Sequence, residues 1–259
     1  MITATHNPRI KWVRSLQDDS RSRREAGAFV VEGVRLVEEA LGAGWQAQLL
    51  LYTGDLAPRG YNLVEAFAAQ GTPVEQVSEQ VMRHASDTQA PQGVLAVVTW
   101  RTLPVPESPG FVFIPDDIHD PGNLGSMLRS AAAAGVEAVL IPTGAVDPTS
   151  PKVLRAAMGA HFRLPIASLD WEEIGDRVVE AGLRVYIADS GAGEPYSQCD
   201  LRSPLALIVG GEAQGAGETA YSLAHARLHI PMASGVESLN AAAAAAVLLF
   251  EVARQRSQT

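Results

Sequence analysis

The stretch IPDDIHDPGNLGSMLRSAAAAG, residues 114–135, decides the fold class of this chain of 259 residues. It begins in a short apolar run, turns at DPGN in residues 120–123, and continues as an alanine-rich segment. Asn123 can cap a helix predicted over residues 123–134, and Arg129 projects from that helix. A strand end followed by a turn and a helix is typical of α/β domains, in which ligands bind at the carboxyl ends of the strands.

The stretch LIVGGEAQGAG, residues 207–217, has the same arrangement at another predicted strand. Gly210 and Gly211 lack a Cβ and therefore allow a second backbone segment to approach closely. Glu212 stands at the strand end. A surface turn would also explain Glu212, so this motif taken alone is a weak indication of a site.

A third stretch, IPMASGVESLNAAAAAAVLLFE in residues 230–251, leads into a long terminal helix predicted over residues 238–256. Ser238 occupies the capping position of that helix, and Asn240 follows in its first turn. Taken singly, polar residues at helix starts are explained by capping, and Arg129 is explained by a solvated helix surface. Three such stretches in this order are far more specific than any one of them.

The remaining elements extend the α/β alternation over the whole chain. Apolar runs in the second part predict buried strands at residues 111–115, 138–142, 184–188, 205–210 and 227–230. Further helices are predicted there at residues 151–158 and 171–181. The first part alternates predicted helices at 8–18, 34–41 and 62–69 with predicted strands at 28–32, 48–52, 73–77 and 93–100.

Residues 101–110 contain three prolines and lie between two predicted strands, which indicates a linker. We therefore predict an N-terminal domain over residues 1–100, a linker over residues 101–109 and a second domain over residues 110–259. Each part is long enough to bury a core of its own.

The composition, with 47% hydrophobic and 19% charged residues, is typical of a folded protein. The single cysteine, Cys199, excludes an internal disulfide and a cysteine-based zinc cluster, which favours a reducing, cytoplasmic location. The longest apolar run, residues 241–250, is shorter than the roughly 20 residues that span a bilayer, so no membrane insertion is expected.

Several familiar sites are disfavoured by the motifs. No Gly-Lys-Ser or Gly-Lys-Thr sequence occurs, which excludes a P-loop. Gly191 and Gly193 follow a predicted strand but lack the rest of a dinucleotide-binding pattern, so we interpret them as a turn. His225 and His229 lead into a predicted strand, and we do not expect them to bind a metal.

The net charge of −9 argues against a protein that coats nucleic acid through bulk electrostatics. The first 25 residues differ, because they hold six cationic and three acidic side chains, a local net charge of +3. Arginine dominates, and its planar fork suits phosphate oxygens. A solvated amphipathic helix would also explain this pattern. The candidate phosphate-binding residues are Arg9, Lys11, Arg14, Arg21, Arg23 and Arg24.

Together, the motifs resemble those of the SpoU/TrmH family of RNA ribose 2′-O-methyltransferases, in the SPOUT superfamily. The matching residues are DPGNLG at 120–125 with Arg129, GGEAQG at 210–215, IPM at 230–232 and SLN at 238–240. In addition, NPRIK at 7–11, FVVEG at 29–33 and EEA at 38–40 resemble the substrate-binding domain of ribosomal-RNA members. The resemblance covers nearly the whole chain.

The resemblance implies a fold that periodicity does not predict. A small N-terminal α/β substrate-binding domain would precede a C-terminal SPOUT α/β-knot domain, in which the chain forms a trefoil knot. S-adenosylmethionine would bind within the knot, at Gly210, Ile230, Met232, Ser238 and Leu239. Family members are homodimers, and the expected interface is the terminal helix, through Val247, Leu248 and Val252.

The chemistry of the residues is compatible with this resemblance. A ribose 2′-hydroxyl is a poor nucleophile at neutral pH, so methyl transfer needs its proton removed and its oxygen aligned. The resemblance makes Arg129 the central catalytic residue, either as a base in an unusual environment or as the group that holds phosphate and hydroxyl in line. Asn123 and Glu212 would orient Arg129 or organise the pocket, and Ser238 and Asn240 would fix the third loop. No metal is expected, because the sulfonium already activates the methyl group.

The sequence therefore predicts a methyltransferase that modifies the ribose of RNA, with 23S ribosomal RNA as the expected substrate. The N-terminal cations are expected to contact this RNA. Transfer RNA stays open as the substrate, since the catalytic motifs are shared. A non-catalytic RNA-binding factor for ribosome assembly is the alternative from another functional class. Protection against an antibiotic that targets the ribosome is a further possible role.

Overall fold

The computed structural model describes residues 1–211 and 215–258, within which two compact units are distinguished. The first unit comprises Met1–Arg101 and Asp147–Phe162. The second comprises Thr102–Val146 and the described residues from Arg163 onward. The segment Asp147–Phe162 thus packs with the first unit, although it lies within the second half of the chain.

The first unit is built on a mixed sheet of the strands β1 (Ala28–Glu32), β2 (Ala47–Tyr52), β3 (Val74–Gln76) and β4 (Val94–Thr99). β4 pairs antiparallel with β1 and β2, and β2 pairs parallel with β3, which gives the order β1-β4-β2-β3. The helices of this unit are α1 (Pro8–Asp18), α2 (Ser20–Ala26), α3 (Val34–Gly42), α4 (Pro58–Ala69), α5 (Glu79–Ala85) and α7 (Pro151–Ala157).

Side-chain caps define where the first two helices, α1 and α2, begin. The side chain of Asn7 accepts a hydrogen bond from the Arg9 amide, and Pro8 stands in the first turn of α1. Asp19 caps α2, because its side chain accepts hydrogen bonds from the amides of Arg21 and Ser22. Gly27 ends α2 in the left-handed conformation, at φ +54°. The sequence analysis missed α2 because this helix is short and highly charged.

The segment Asp147–Phe162 is held in the first unit by several contacts. The indole nitrogen of Trp45 donates a hydrogen bond to the Phe162 carbonyl at 3.3 Å, and the two ring centroids lie 5.2 Å apart. Arg155 on α7 forms an ion pair of 2.7 Å with Asp87. Aromatic packing and an ion pair therefore both fix this segment.

The second unit contains a parallel sheet. Among the described residues its strands are β5 (Phe111–Pro115), β6 (Ala138–Pro142), β7 (Ile166–Leu169), β8 (Arg184–Ala188), β9 (Glu194–Pro195), β10 (Leu205–Val209) and β11 (Ala226–His229). Their order is β7-β6-β5-β10-β8-β11-β9, and every pair in it is parallel. The helices are α6 (Pro121–Ala133), α8 (Trp171–Glu180), α9 (Glu218–Leu223) and α10 (Ala241–Arg256).

The α/β fold class is confirmed, and the predicted strands 28–32, 111–115, 138–142 and 184–188 have the predicted bounds. Three predicted helix starts are wrong. The helix predicted from residue 62 begins at Pro58, the helix predicted from residue 123 begins at Pro121, and the terminal helix begins at Ala241. The knotted threading implied by the resemblance stays a prediction.

No helix within residues 1–211 and 215–258 is long and apolar enough to cross a membrane.

Candidate active site

A cavity of about 490 Å³ lies in the second unit, beside the carboxyl ends of β8, β10 and β11. Parallel strands that end at one edge of a sheet bring their following loops together, and this is where ligands bind in such folds. The five residues predicted to bind the cofactor all line this cavity: Gly210, Ile230, Met232, Ser238 and Leu239. The structure therefore brings the second and third motifs to one place.

The glycines after β10 are required by the packing of the backbone. A Cβ on Gly210 would overlap the backbone of Gly215 and Ala216. A Cβ on Gly211 would lie 2.5 Å from the carbonyl oxygen of Asp117, which follows β5. Such approaches leave no space for a side chain, so Gly210 and Gly211 can pack closely against Gly215, Ala216 and the residues after β5.

Asp116 also links the end of β5 to the segment after β10. It is 5% exposed, and its Oδ2 accepts a hydrogen bond of 2.7 Å from the amide of Gly217. Burial raises the pKa of this carboxyl above its ordinary value. The sequence analysis did not single out Asp116, whose place directly after a predicted buried strand was the available signal.

The first and third motifs meet through two asparagines. The side-chain amide of Asn240 donates a hydrogen bond of 3.0 Å to Oδ1 of Asn123. Asn240 also caps α10, because its Oδ1 accepts from the amides of Ala242 and Ala243. This contact places the start of α10, and with it the adjoining rim of the cavity, next to α6.

Two predicted capping roles are corrected by these contacts. Asp120, and not Asn123, caps α6, since its Oδ1 accepts a hydrogen bond of 2.8 Å from the Asn123 amide. Asn240, and not Ser238, caps α10. Ser238 instead lies exposed on the loop that lines the cavity. With Asp120 as the cap of α6, the Asn123 side chain accepts the hydrogen bond from Asn240 at the start of α10.

Arg129 lies on the solvent-exposed surface of α6, two turns after the helix start. Within the part of the chain that the structure describes, its guanidinium makes no hydrogen bond and no ion pair. It is not among the residues that line the cavity. Glu212, predicted to act with Arg129, lies outside the described residues.

The sequence analysis missed an acidic and aromatic wall of the cavity. Asp189, directly after β8, accepts a hydrogen bond of 2.9 Å from the Gly191 amide and lies 3.6 Å from the guanidinium of Arg227. That guanidinium stands 5.0 Å from the ring centroid of Tyr221. Burial, and then the charge of Asp189, raises the pKa of Tyr221. The turn predicted at Gly191 and Gly193 pointed to this loop, but not to its position beside the cavity.

The N-terminal cations differ widely in their surroundings. Arg23 is 4% exposed, donates a hydrogen bond of 2.8 Å to the Leu16 carbonyl, and pairs with Asp147 at 2.5 Å. Burial alone would raise the pKa of Asp147, but hydrogen bonds from Arg23 and Thr149 lower it below its ordinary value. Because its guanidinium is buried and paired, Arg23 stabilises the first unit. The prediction that Arg23 contacts an RNA phosphate is wrong.

Three other N-terminal arginines are engaged by carboxylates. Arg9 pairs with Glu75, Arg14 with Asp18 at 2.8 Å, and Arg21 with Glu25 at 2.6 Å. Lys11 and Arg24 are exposed, and neither forms an ion pair with any residue that the structure describes. Much of the local positive charge counted in the sequence is thus already compensated.

The comparison with known families assigns the chain. A profile of the SpoU rRNA Methylase family matches residues 110–250. This chain belongs to the SpoU methylase family. A profile of the MRM3-like substrate binding domain matches residues 7–96 of this SpoU methylase, in agreement with the predicted N-terminal domain type.

Individual relatives span almost the whole chain. An uncharacterized tRNA/rRNA methyltransferase of Synechocystis sp. is 34% identical, with 98% of this SpoU methylase and 94% of the relative covered. The 23S rRNA (guanosine(2553)-2′-O)-methyltransferase RlmP of Bacillus subtilis is 30% identical, with 97% and 98% covered. The crystal structure of an AdoMet-bound rRNA methyltransferase from Sinorhizobium meliloti superimposes with a TM-score of 0.87 at 31% identity, with 98% and 97% covered.

Proposed function

We propose that this SpoU methylase transfers a methyl group to a ribose 2′-hydroxyl of large-subunit ribosomal RNA. The chain is a methyltransferase, and its cofactor is S-adenosylmethionine. The observation that carries the proposal is the convergence of the three motifs, with one cavity bordered by the second and third and the Asn123–Asn240 contact joining the first. The ribosomal target is supported by the substrate named for the Bacillus subtilis relative and by the domain type of residues 7–96.

The described residues of the cavity suit S-adenosylmethionine. The volume of about 490 Å³ is in the range of small-molecule sites. Its described lining contains the carboxylates Asp189 and Glu237 but no lysine or arginine, which suits a ligand that carries positive charge. When bound, S-adenosylmethionine supplies a methyl group that its sulfonium activates for transfer. We propose that Gly210, Ile230, Met232, Ser238 and Leu239 hold it.

The remaining polar residues of the three motifs are assigned to the RNA side of the reaction. Arg129 would bind an RNA phosphate and keep the neighbouring 2′-hydroxyl in line, a role that suits an exposed guanidinium better than that of a base. Asn123 and Asn240 would fix the rim between α6 and α10. Ser238 and Glu212 are the other two residues that we propose for the catalytic site. No residue in this scheme requires a metal ion.

The proposed activity is tested by supplying purified protein with radiolabelled S-adenosylmethionine and either ribosomal or transfer RNA. We expect label in large-subunit ribosomal RNA, and we expect one ribose methylation to disappear from cells that lack the gene. Label confined to transfer RNA would replace the substrate assignment. Cofactor binding without transfer to either RNA would favour the ribosome-assembly alternative.

We also propose that the first unit binds RNA phosphates through Lys11 and Arg24, which are exposed and not compensated by described carboxylates. The double substitution Lys11→Ala/Arg24→Ala should lower the slope of log affinity against log salt by about one for each lost phosphate contact. RNA binding measured across a salt series checks this. Arg21→Ala is the matched control, because Arg21 already pairs with Glu25. Equal slopes for the double variant and the unsubstituted protein would remove both residues from the RNA surface.

A homodimer is proposed from the exposed face of α10. The predicted interface residues Leu248 and Val252 are buried within the unit, so that part of the prediction is wrong. Val247, the third predicted interface residue, is 37% exposed, and Phe250, which was not predicted, is 50% exposed. Together with Ala243 they follow the spacing of one helix face. Such a face favours association with a second copy.

The dimer proposal predicts that Val247→Glu/Phe250→Glu in the full chain halves the molar mass measured by light scattering. Two carboxylates per subunit in an apolar interface would oppose association. Val179→Glu is the matched control, because Val179 is 73% exposed on α8. An unchanged mass for the double variant would exclude this face as the interface.

We further propose that the protein acts in the cytoplasm, on the basis of the ribosomal substrate and the lone Cys199.

A further inference from the structure

Glu237 lines the cofactor cavity and differs in its surroundings from Asp189, the other carboxylate of the described lining. Of the two carboxylates in the described lining, Asp189 is engaged by the Gly191 amide and lies near Arg227. Glu237 is exposed on the loop between β11 and α10 and forms no ion pair with the residues that the structure describes. Its negative charge is therefore available to a ligand.

The position of Glu237 in the loop indicates which part of a bound ligand its carboxylate would lie near. Glu237 stands three residues before Asn240, whose side chain is bonded to Asn123 on α6. This rim is the one at which the proposed RNA site adjoins the cavity, and transfer has to occur where the two sites meet. Asp189 lies on another wall of the cavity, with Tyr221.

The methyl donor and its product differ in charge at one atom. S-adenosylmethionine carries a sulfonium cation, and S-adenosylhomocysteine has a neutral thioether at the same position. Both keep the ammonium and the carboxylate of their amino-acid end. A carboxylate close to the sulfur position thus stabilises the donor selectively, whereas a carboxylate close to the ammonium stabilises both ligands equally.

We propose that Glu237 is a specificity-determining residue, whose carboxylate makes the cavity prefer the cationic methyl donor to the neutral product. The inference rests on the assignment of this cavity to the cofactor. Its consequence is that the spent cofactor loses its attraction to the loop at the moment when the methyl group has left. Glu237 then limits product inhibition without taking part in bond making.

Calorimetric titration of the full-length protein with each ligand tests this proposal. Glu237→Gln should weaken binding of S-adenosylmethionine by about five- to tenfold, as expected for one partly solvated charge pair. Binding of S-adenosylhomocysteine should change by less than about twofold, because the product lacks the charge in question. Glu218→Gln is the matched control, since Glu218 is an exposed carboxylate on α9 that does not line the cavity.

Each other outcome has a definite meaning. Equal weakening of both ligands would overturn the proposal and place Glu237 near the ammonium or in support of the loop. Unchanged affinities, or the same selective effect in Glu218→Gln, would also overturn it. If the unsubstituted protein binds neither ligand, the cofactor assignment of the cavity fails instead. A thermal melt of each variant shows whether the fold is retained.

Discussion

Arg129→Ala is expected to reduce methyl transfer to RNA by about a hundredfold or more, on the scale of losing one oriented catalytic group. The same variant should bind S-adenosylmethionine with nearly unchanged affinity, because Arg129 does not line the cavity. A cation in this position orients a phosphate and stabilises negative charge on the ribose oxygen, and both effects are felt mainly in the transition state. Single-turnover transfer under saturating RNA, with a parallel cofactor titration, separates the two quantities.

The control for this experiment is Arg177→Ala, which removes an exposed arginine from α8 of the same unit. Its transfer rate should match that of the unsubstituted protein. Arg129→Lys keeps the charge but loses the planar fork, so it should recover part of the rate if charge matters and little if bidentate binding decides. Substantial transfer by Arg129→Ala would return Arg129 to the role of a solvated helix residue.

Gly210→Ala is expected to weaken cofactor binding by about tenfold to hundredfold. Its new Cβ would overlap the backbone of Gly215 and Ala216, which cannot yield by a side-chain rotation. Overpacking of this kind costs about 1–3 kcal/mol, which corresponds to about a tenfold to hundredfold loss of affinity if the strain is relieved by opening the cavity. Titration with S-adenosylmethionine measures the loss directly.

Gly175→Ala provides the matched control for Gly210→Ala. Gly175 lies within α8, and a Cβ there would meet no atom within 4 Å. The substitution should leave cofactor affinity unchanged and stabilise the helix by about 0.5–1 kcal/mol. Normal cofactor binding by a folded Gly210→Ala protein would show that the loop after β10 tolerates displacement and that the close packing there is not needed.

The α/β architecture of the second unit could be predicted because its strands carry a strong local signal. The apolar runs 111–115 and 138–142 are buried throughout in the sheet, as expected for parallel strands covered on both faces. The cofactor cavity was predictable for a related reason. The loops after β8, β10 and β11 share one edge of the sheet, and strand ends at such an edge are where ligands bind. The choice of Gly210, Ile230 and Leu239 as cofactor-binding residues came from the resemblance to the SpoU/TrmH family and stays a prediction.

The surroundings of individual side chains could not be predicted in the same way. Arg23 pairs with Asp147, which lies 124 residues away along the chain, so no local pattern distinguishes it from Arg24. Ser238 and Asn240 are both good capping residues, and the choice between them depends on the partner Asn123 on another helix. In the alanine-rich α10, weak periodicity concealed that Leu248 is buried and Phe250 is exposed.

The placement of Asp147–Phe162 bears on how such a protein can be recombined. Val153, Leu154, Ala157 and Phe162 are buried, and α7 packs on β1 in the first unit. A gene fragment cut at the proline-rich linker would separate these residues from the sheet that covers them. The first unit is therefore encoded in two pieces, and its exchange between relatives would have to carry both pieces together. New RNA targets would then arise more readily by surface substitution than by shuffling of whole domains.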